Sequence, residues 1–255
     1  MTRSINSSGP TSEHGWLTPD WPAPLNIKAL VTSRQGGVSL APFESMNLGD
    51  HVGDSIQAVE TNRQQLLNSM SGCDQIRWLQ QIHGTDCVDV TEVADNHQAD
   101  ASYSQVPGLA CAIMTADCLP VLFCNKTGIQ VAAAHAGWKG LANGVLLNTL
   151  AQFENPEDVL VWLGPAISKA NFEVGPEVRE AFDWASDECF TTGQGDRLYA
   201  DLYKLARQQL QQAGVPQGQV YGGGVCTFDD AERFYSYRRD TKTGRMATCI
   251  WIAKT

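Results

Sequence analysis

Cys118, His83 and His135 are the residues of this sequence whose types and neighbours could do chemistry. Cys118 lies in Thr115-Ala116-Asp117-Cys118-Leu119-Pro120, between two apolar runs, Leu109 to Met114 and Val121 to Cys124. A third run, Ile129 to Ala134, follows an Asn125-Lys126-Thr127-Gly128 turn and ends on His135. Read as adjacent strands, these runs put Cys118 and His135 at strand ends that can lie side by side. Gly137 and Gly140 follow, where a helix begins. His83 closes another strand-like run, Ile76 to Ile82, and sits beside Gly84. One Cys and two His supply three ligands for Zn²⁺ and leave a fourth position open, the arrangement of a catalytic rather than a structural site. The same residues also suit a Cys nucleophile with a His base. Plain packing is the third reading, because buried Cys and hydrogen-bonded His are common in apolar strands. The separations of 35 and 17 residues decide nothing, since strands bring distant positions together.

The elements that must position these residues alternate without a repeat. Ile27 to Thr32 reads as a strand that runs into Ser33-Arg34-Gln35-Gly36-Gly37-Val38, and Ser45 to His51 is a polar, glycine-containing loop. Asp54 can cap a helix over Ile56 to Met70. Asp86 to Val90 is the expected hairpin partner of Ile76 to Ile82, and Ala94 to Pro107 reads as loop. Leu141 to Phe153 is an expected helix, Val159 to Leu163 a buried strand, and Glu177 to Ala185 and Asp201 to Ala213 two more helices, the second capped by Asp201. Met246 to Ala253 supplies a last strand. This order implies an α+β domain spanning residues 21–255, preceded by a flexible leader over residues 1–20; Trp16 and Pro19, with Trp21, Pro22 and Pro24 just after it, place its last part against the body.

Composition narrows the partners. A formal net charge of -10 and a pI near 4.9 argue against nucleic acid or an anionic membrane as the main partner, so an anionic substrate must be met by a local cluster of Arg and Lys. No run approaches the roughly 20 apolar residues that span a bilayer. The first 25 residues carry no apolar core of a secretory signal, which points to the cytoplasm. The eight cysteines include no C-x-x-C pair and are expected to be reduced. Nothing resembles a heptad seam, and a monomer is the expectation.

From about Trp21 to Ile252 the chain closely resembles the bacterial YfiH family, also called the polyphenol oxidase (laccase-domain) family and the purine nucleoside phosphorylase family. The motifs that carry the resemblance are Thr32 to Ser39, Trp78-Leu79-Gln80-Gln81-Ile82-His83-Gly84, Met114 to Leu122, His135-Ala136-Gly137-Trp138-Lys139-Gly140, and Phe234-Tyr235-Ser236-Tyr237-Arg238-Arg239-Asp240. Tyr235 stands where the family pattern has a second Phe. The resemblance implies mixed β-sheets packed face to face with helices outside, a four-layer α/β/β/α arrangement, and metal ligands at His83, Cys118 and His135.

The resemblance further implies a zinc enzyme that phosphorolyses inosine, guanosine, adenosine and methylthioadenosine and deaminates adenosine in the same pocket. Small-molecule nucleoside and phosphate are then its partners. Zinc with an open position suits activation of water, whereas phosphorolysis needs cations that hold an oxyanion beside the anomeric carbon. Arg34, Lys139 and Arg238 are the motif cations assigned to phosphate or substrate, Asn47 and Asp117 the polar contacts to sugar or base, and Arg239 a structural ion-pair partner. The alternative is a Cys-dependent amidohydrolase, with Cys118 as nucleophile, that edits peptidoglycan precursors carrying a wrong amino acid. Copper follows from one family name, but five histidines are few for several copper ions. A nucleotide-sensing or partner-binding module is the non-enzyme alternative.

Overall fold

The structure, a computed structural model, describes residues 15–255; residues 1–14 of the expected leader lie outside the described residues. Two sheets carry the fold. One is six-stranded, in the spatial order Val220–Gly222, Val159–Leu163, Leu119–Asn125, Val131–Ala136, Ala101–Ser104 and Cys87–Asp89. The other is four-stranded, in the order Ile27–Val31, Met246–Ile252, Leu109–Thr115 and Gln75–Arg77.

Their near-continuous apolar runs follow from burial on both faces. Along Leu119–Asn125, Leu119, Val121 and Phe123 enter one core while Leu122 and Cys124 enter another. Along Met246–Ile252, Met246, Ile250 and Ile252 join Leu122 and Cys124 between the sheets, and Ala247, Cys249 and Trp251 face a third core with Leu66 and Met70 of the first helix and its end. The first core holds Leu141, Leu146, Leu205 and Leu210 of the later helices against the six-stranded sheet. Trp16 and Leu17 are buried, and Leu17 exchanges main-chain hydrogen bonds with Val31 at 2.9 Å, so the residues just before Trp21 pack on the body.

Several expectations from local pattern require correction. Leu109–Thr115 does not adjoin Leu119–Asn125 in one sheet; it pairs with Met246–Ile252, and the turn at Ala116-Asp117-Cys118 carries the chain from one sheet to the other. The Ile76 to Ile82 run splits: Gln75–Arg77 runs parallel to Leu109–Cys111 and Leu79–Gln80 runs parallel to His97–Gln98. Cys87–Asp89 is no hairpin partner of it, but pairs in parallel with Ala101–Ser104, a strand within the stretch that reads as loop. Alternation identifies a strand without identifying its neighbour, and the small, partly polar Ala101-Ser102-Tyr103-Ser104 hides a buried strand from a hydrophobicity reading.

The helices differ similarly. Leu141 to Phe153 is not one helix: Trp138–Asn143 and Val145–Leu150 meet at Gly144, whose φ of 96° ends the first. The helix Ile56–Ser69 is capped by Ser55, which accepts from the Ala58 amide, rather than by Asp54, whose carboxylate is engaged by Asn47 Nδ2 at 2.9 Å. The helix expected over Glu177 to Ala185 occupies Pro176–Ala181. Asp201 caps Leu202–Gln212 as expected, accepting from the Lys204 amide at 3.0 Å.

Candidate metal and substrate site

Sheet register brings the three candidate ligands together. Leu119 pairs with Ala136 and Pro120 with His135, so Cys118 lies just beyond the strand end beside His135. His83 arrives from the turn after Leu79–Gln80, where Gln81 clips onto the four-stranded sheet by accepting from the Met114 amide at 2.7 Å and donating to the Met114 carbonyl at 2.8 Å. The potential ligand atoms of His83, Cys118 and His135 all lie within 4.8 Å of one another. Cys118 Sγ is 3.9 Å from His83 Nε2, and the two imidazoles meet edge to face at 4.8 Å between centroids.

This donor set fits a metal ion. Tetrahedral zinc, with Zn–S of about 2.3 Å and Zn–N of about 2.0 Å, holds a sulfur and a nitrogen roughly 3.5 Å apart. The Asp100 carboxylate accepts from His135 Nδ1 at 2.7 Å, which leaves Nε2 to face the cluster. Burial alone would raise the Cys118 thiol, but the charge of His135 and hydrogen bonds from His135 and His83 bring it down to about 6. Burial correspondingly pulls His135 down, and the Cys118 thiolate together with the Asp100 carboxylate outweighs it, raising His135 to about 9. A thiolate is the form in which cysteine binds metal or attacks carbon.

The cluster opens into a cavity of about 530 Å³. Trp138, Phe172, Ile167 and Met114 give it apolar walls; His51, Gln81, Tyr237, Arg238 and Arg245 give it polar ones. Arg238 lies over the Phe172 ring at 5.4 Å and donates to the carbonyls of Asn171 and Glu173. Arg245 donates to the carbonyls of Thr243 and Gly244, both at 3.0 Å. Among the described residues neither guanidinium has a carboxylate partner, so both carry positive charge into the cavity of an acidic chain. Burial lowers the Arg245 pKa, opposed by Cys118 and Asp117, and lowers that of His51 with help from Arg245.

The other sequence-derived candidates fall in different places. Asp117 borders the cavity with a left-handed φ of 94°, but its carboxylate accepts from Thr227 Oγ1, Ser236 Oγ and the Arg238 amide at 2.7 to 3.0 Å. It thereby fastens the sheet crossover to the segment that carries Arg238. Asn47 is fully buried and does not line the cavity; its Oδ1 accepts from the amides of Gly49 and Arg245, which orders the loop bearing His51. Arg34 does not line it either: it donates to the carbonyls of Glu44 and Ala231 and stacks over Tyr235 at 4.9 Å. The Lys139 ammonium sits 5.6 Å from the Trp138 ring centroid, outside the lining that Trp138 itself joins. Arg239 pairs with Asp240 at 2.8 Å. The hydroxyl of Tyr235, the departure from the family pattern, donates to the Phe43 carbonyl at 2.6 Å.

Sequence reasoning missed His51, Arg245, Tyr237 and Asp100 as parts of this site. His51 and Tyr237 lie within stretches already singled out, and a polar residue beside a glycine loop or a cation was the available signal. Arg245 sits in Gly244-Arg245-Met246 before an ordinary strand, and nothing local distinguishes it.

The fold and this site define an α+β protein with a metal-competent His–Cys–His cluster on the wall of a small-molecule cavity. Residues 28–253 match the model of the family described as multi-copper polyphenol oxidoreductase laccase. The purine nucleoside phosphorylase YfiH of Escherichia coli is 51% identical over 241 residues, covering 92% of this chain and 98% of its own. A Pseudomonas aeruginosa protein also named purine nucleoside phosphorylase is 52% identical over 244 residues, covering 94% and 99%. The crystal structure of a Neisseria meningitidis protein superposes with a TM-score of 0.89 at 48% identity, over 94% of this chain and 99% of that one. The chain belongs to this family, the YfiH family whose members include these enzymes. No helix among the described residues is long and apolar enough to cross a membrane.

Proposed function

We propose that the protein is a zinc-dependent purine nucleoside phosphorylase acting on inosine, guanosine, adenosine and methylthioadenosine, with adenosine deaminase activity in the same site. The observation that carries this reading is the placement of Arg238 and Arg245, both without carboxylate partners, in the same cavity as His83, Cys118 and His135. A chain with a net charge of -10 holds a free oxyanion only where such cations converge. Bound at His83, Cys118 and His135, zinc would act as a Lewis acid towards an oxygen or nitrogen in the cavity.

The chain's own residues supply the rest. Arg238 and Arg245 hold phosphate, and Trp138 and Phe172 flank the flat purine. A phosphate oxygen forms a bond to the anomeric carbon as the bond from that carbon to the purine nitrogen breaks. The bonding pair departs with the base, which takes up a proton. The Asp117 carboxylate in the lining is taken up by Thr227, Ser236 and the Arg238 amide, and Cys118 belongs to the metal cluster in this reading, so the displacement is direct. The test is incubation with inosine, with and without phosphate. Hypoxanthine and ribose 1-phosphate should form in equal amounts only with phosphate; hydrolysis indifferent to phosphate would reject the phosphorylase.

One observation favours a second reading. Cys118, His135 and Asp100 form a thiol–imidazole–carboxylate series with the thiol at about 6, as a Cys-dependent amidohydrolase editing peptidoglycan precursors would need. Release of amino acid from such a precursor, abolished by Cys118→Ala and indifferent to zinc chelation, would favour it over the first.

A further inference from the structure

Asp100 is wholly buried, and its carboxylate receives four hydrogen bonds that reach both histidines of the cluster. Oδ1 accepts from His135 Nδ1 at 2.7 Å and from the His83 amide at 2.9 Å. Oδ2 accepts from the Ile82 amide at 3.0 Å and the Gly84 amide at 2.6 Å. An ionised carboxylate offers about four lone-pair sites, so both oxygens are filled. His83 has a φ of 60°, a left-handed conformation that side chains with a β-carbon adopt sparsely. The three successive amides that wrap the carboxylate hold it there. The Asp100 main chain takes part as well, its carbonyl accepting from the His135 amide at 2.7 Å.

We propose that Asp100 is the positioning residue of the site and that its single carboxylate sets both imidazoles: the His135 ring through Nδ1, and the His83 ring through the main chain of its turn. For metal binding, this rests on the reading that the cluster holds zinc. The usual carboxylate behind a metal-binding histidine orients one ring. Here a residue of a turn and a residue of a strand, separated by 52 positions, share one support. In Asp100→Asn one oxygen becomes an NH₂ group facing two N–H donors. With Nδ1 of His135 protonated, two of the four bonds are lost whichever way the amide turns.

Two measurements on the metal-free protein judge the positioning by itself. Nitrogen shifts should report a proton held on His135 Nδ1, and the amides of Ile82, His83 and Gly84 should all exchange slowly in the wild type, with either His83 or the Ile82 and Gly84 pair turning fast in Asp100→Asn. Zinc affinity, measured by chelator competition, should fall about 100-fold in Asp100→Asn, the upper end for loss of a group behind a ligand. The deciding comparison adds Asp100→Asn to His135→Ala. Because the His83 arm remains under its control, affinity should fall about 10-fold further. No further loss in that background, or slow exchange retained at all three amides of Ile82, His83 and Gly84 in Asp100→Asn, would overturn the proposal. If Asp100→Asn does not fold, the wild-type data decide: fast exchange at those amides or a His135 Nδ1 that carries no proton rejects it. A wild type that binds no zinc would sink the metal reading while leaving amide exchange and the Nδ1 proton to judge Asp100.

Discussion

Gly137 lies so close to His83 that a β-carbon there would stand 2.8 Å from His83 Cδ2 and 3.2 Å from Cys118 Sγ. The glycine that opens the helix Trp138–Asn143 is therefore what lets both side chains approach. Gly137→Ala should displace the His83 ring, cost about 1–3 kcal/mol of stability as an overpacked contact does, and reduce bound metal. Thermal unfolding with and without zinc checks this, and a variant with wild-type zinc content would contradict it.

Cys118→Ala should lose most of its bound metal. Elemental analysis of protein purified without a histidine tag, set beside inosine phosphorolysis, is the measurement. If the metal stays at the wild-type level while activity disappears, Cys118 is a nucleophile and not a ligand.

The metal-free cluster should be an ion pair across neutral pH. Cys118, lowered to about 6, adds stability that is complete above its unfolded value and fades as pH falls through about 6. His135, raised to about 9, adds stability that is complete below its unfolded value and fades as pH rises through about 9. Alkylation of Cys118 by iodoacetamide should thus show a midpoint near 6 and not the ~8.5 of an ordinary thiol. In His135→Ala the midpoint should move up, and zinc should protect the thiol in the wild type.

Arg238→Ala and Arg245→Ala should each raise KM for phosphate about 10-fold to 100-fold, the equivalent of one charge-assisted hydrogen bond of ~1.5–3 kcal/mol. Arg34→Ala is the contrast. Its guanidinium ties Glu44 and Ala231 together away from the cavity, so KM should hold while the melting temperature falls. Steady-state kinetics with varied phosphate separates the two groups, and a raised KM for Arg34→Ala alone would reverse the assignment.

The residue types of the candidate site were legible in the sequence because their signals are local in kind. A thiol and imidazoles beside glycines at strand ends announce themselves, and the extended motifs around His83, Cys118 and His135 carry the family resemblance. The apolar runs of the major strands and the Asp201 cap were equally readable, since periodicity and capping depend on near neighbours. Partnership was not. Which strand lies beside Leu119–Asn125, and that Leu109–Thr115 crosses to the other sheet, depends on contacts distant in sequence. The same holds for the cations. Arg34 and Lys139 sit in conspicuous motifs but point elsewhere, whereas Arg245, unremarkable in sequence, reaches the cavity because Asn47 Oδ1 accepts from its amide 198 positions away. Asp100 is the clearest case. Its residue type promised only a solvated loop carboxylate, and only the tertiary structure surrounds it with the three amides of Ile82 to Gly84 and the ring of His135, converting a buried charge into the support of the site.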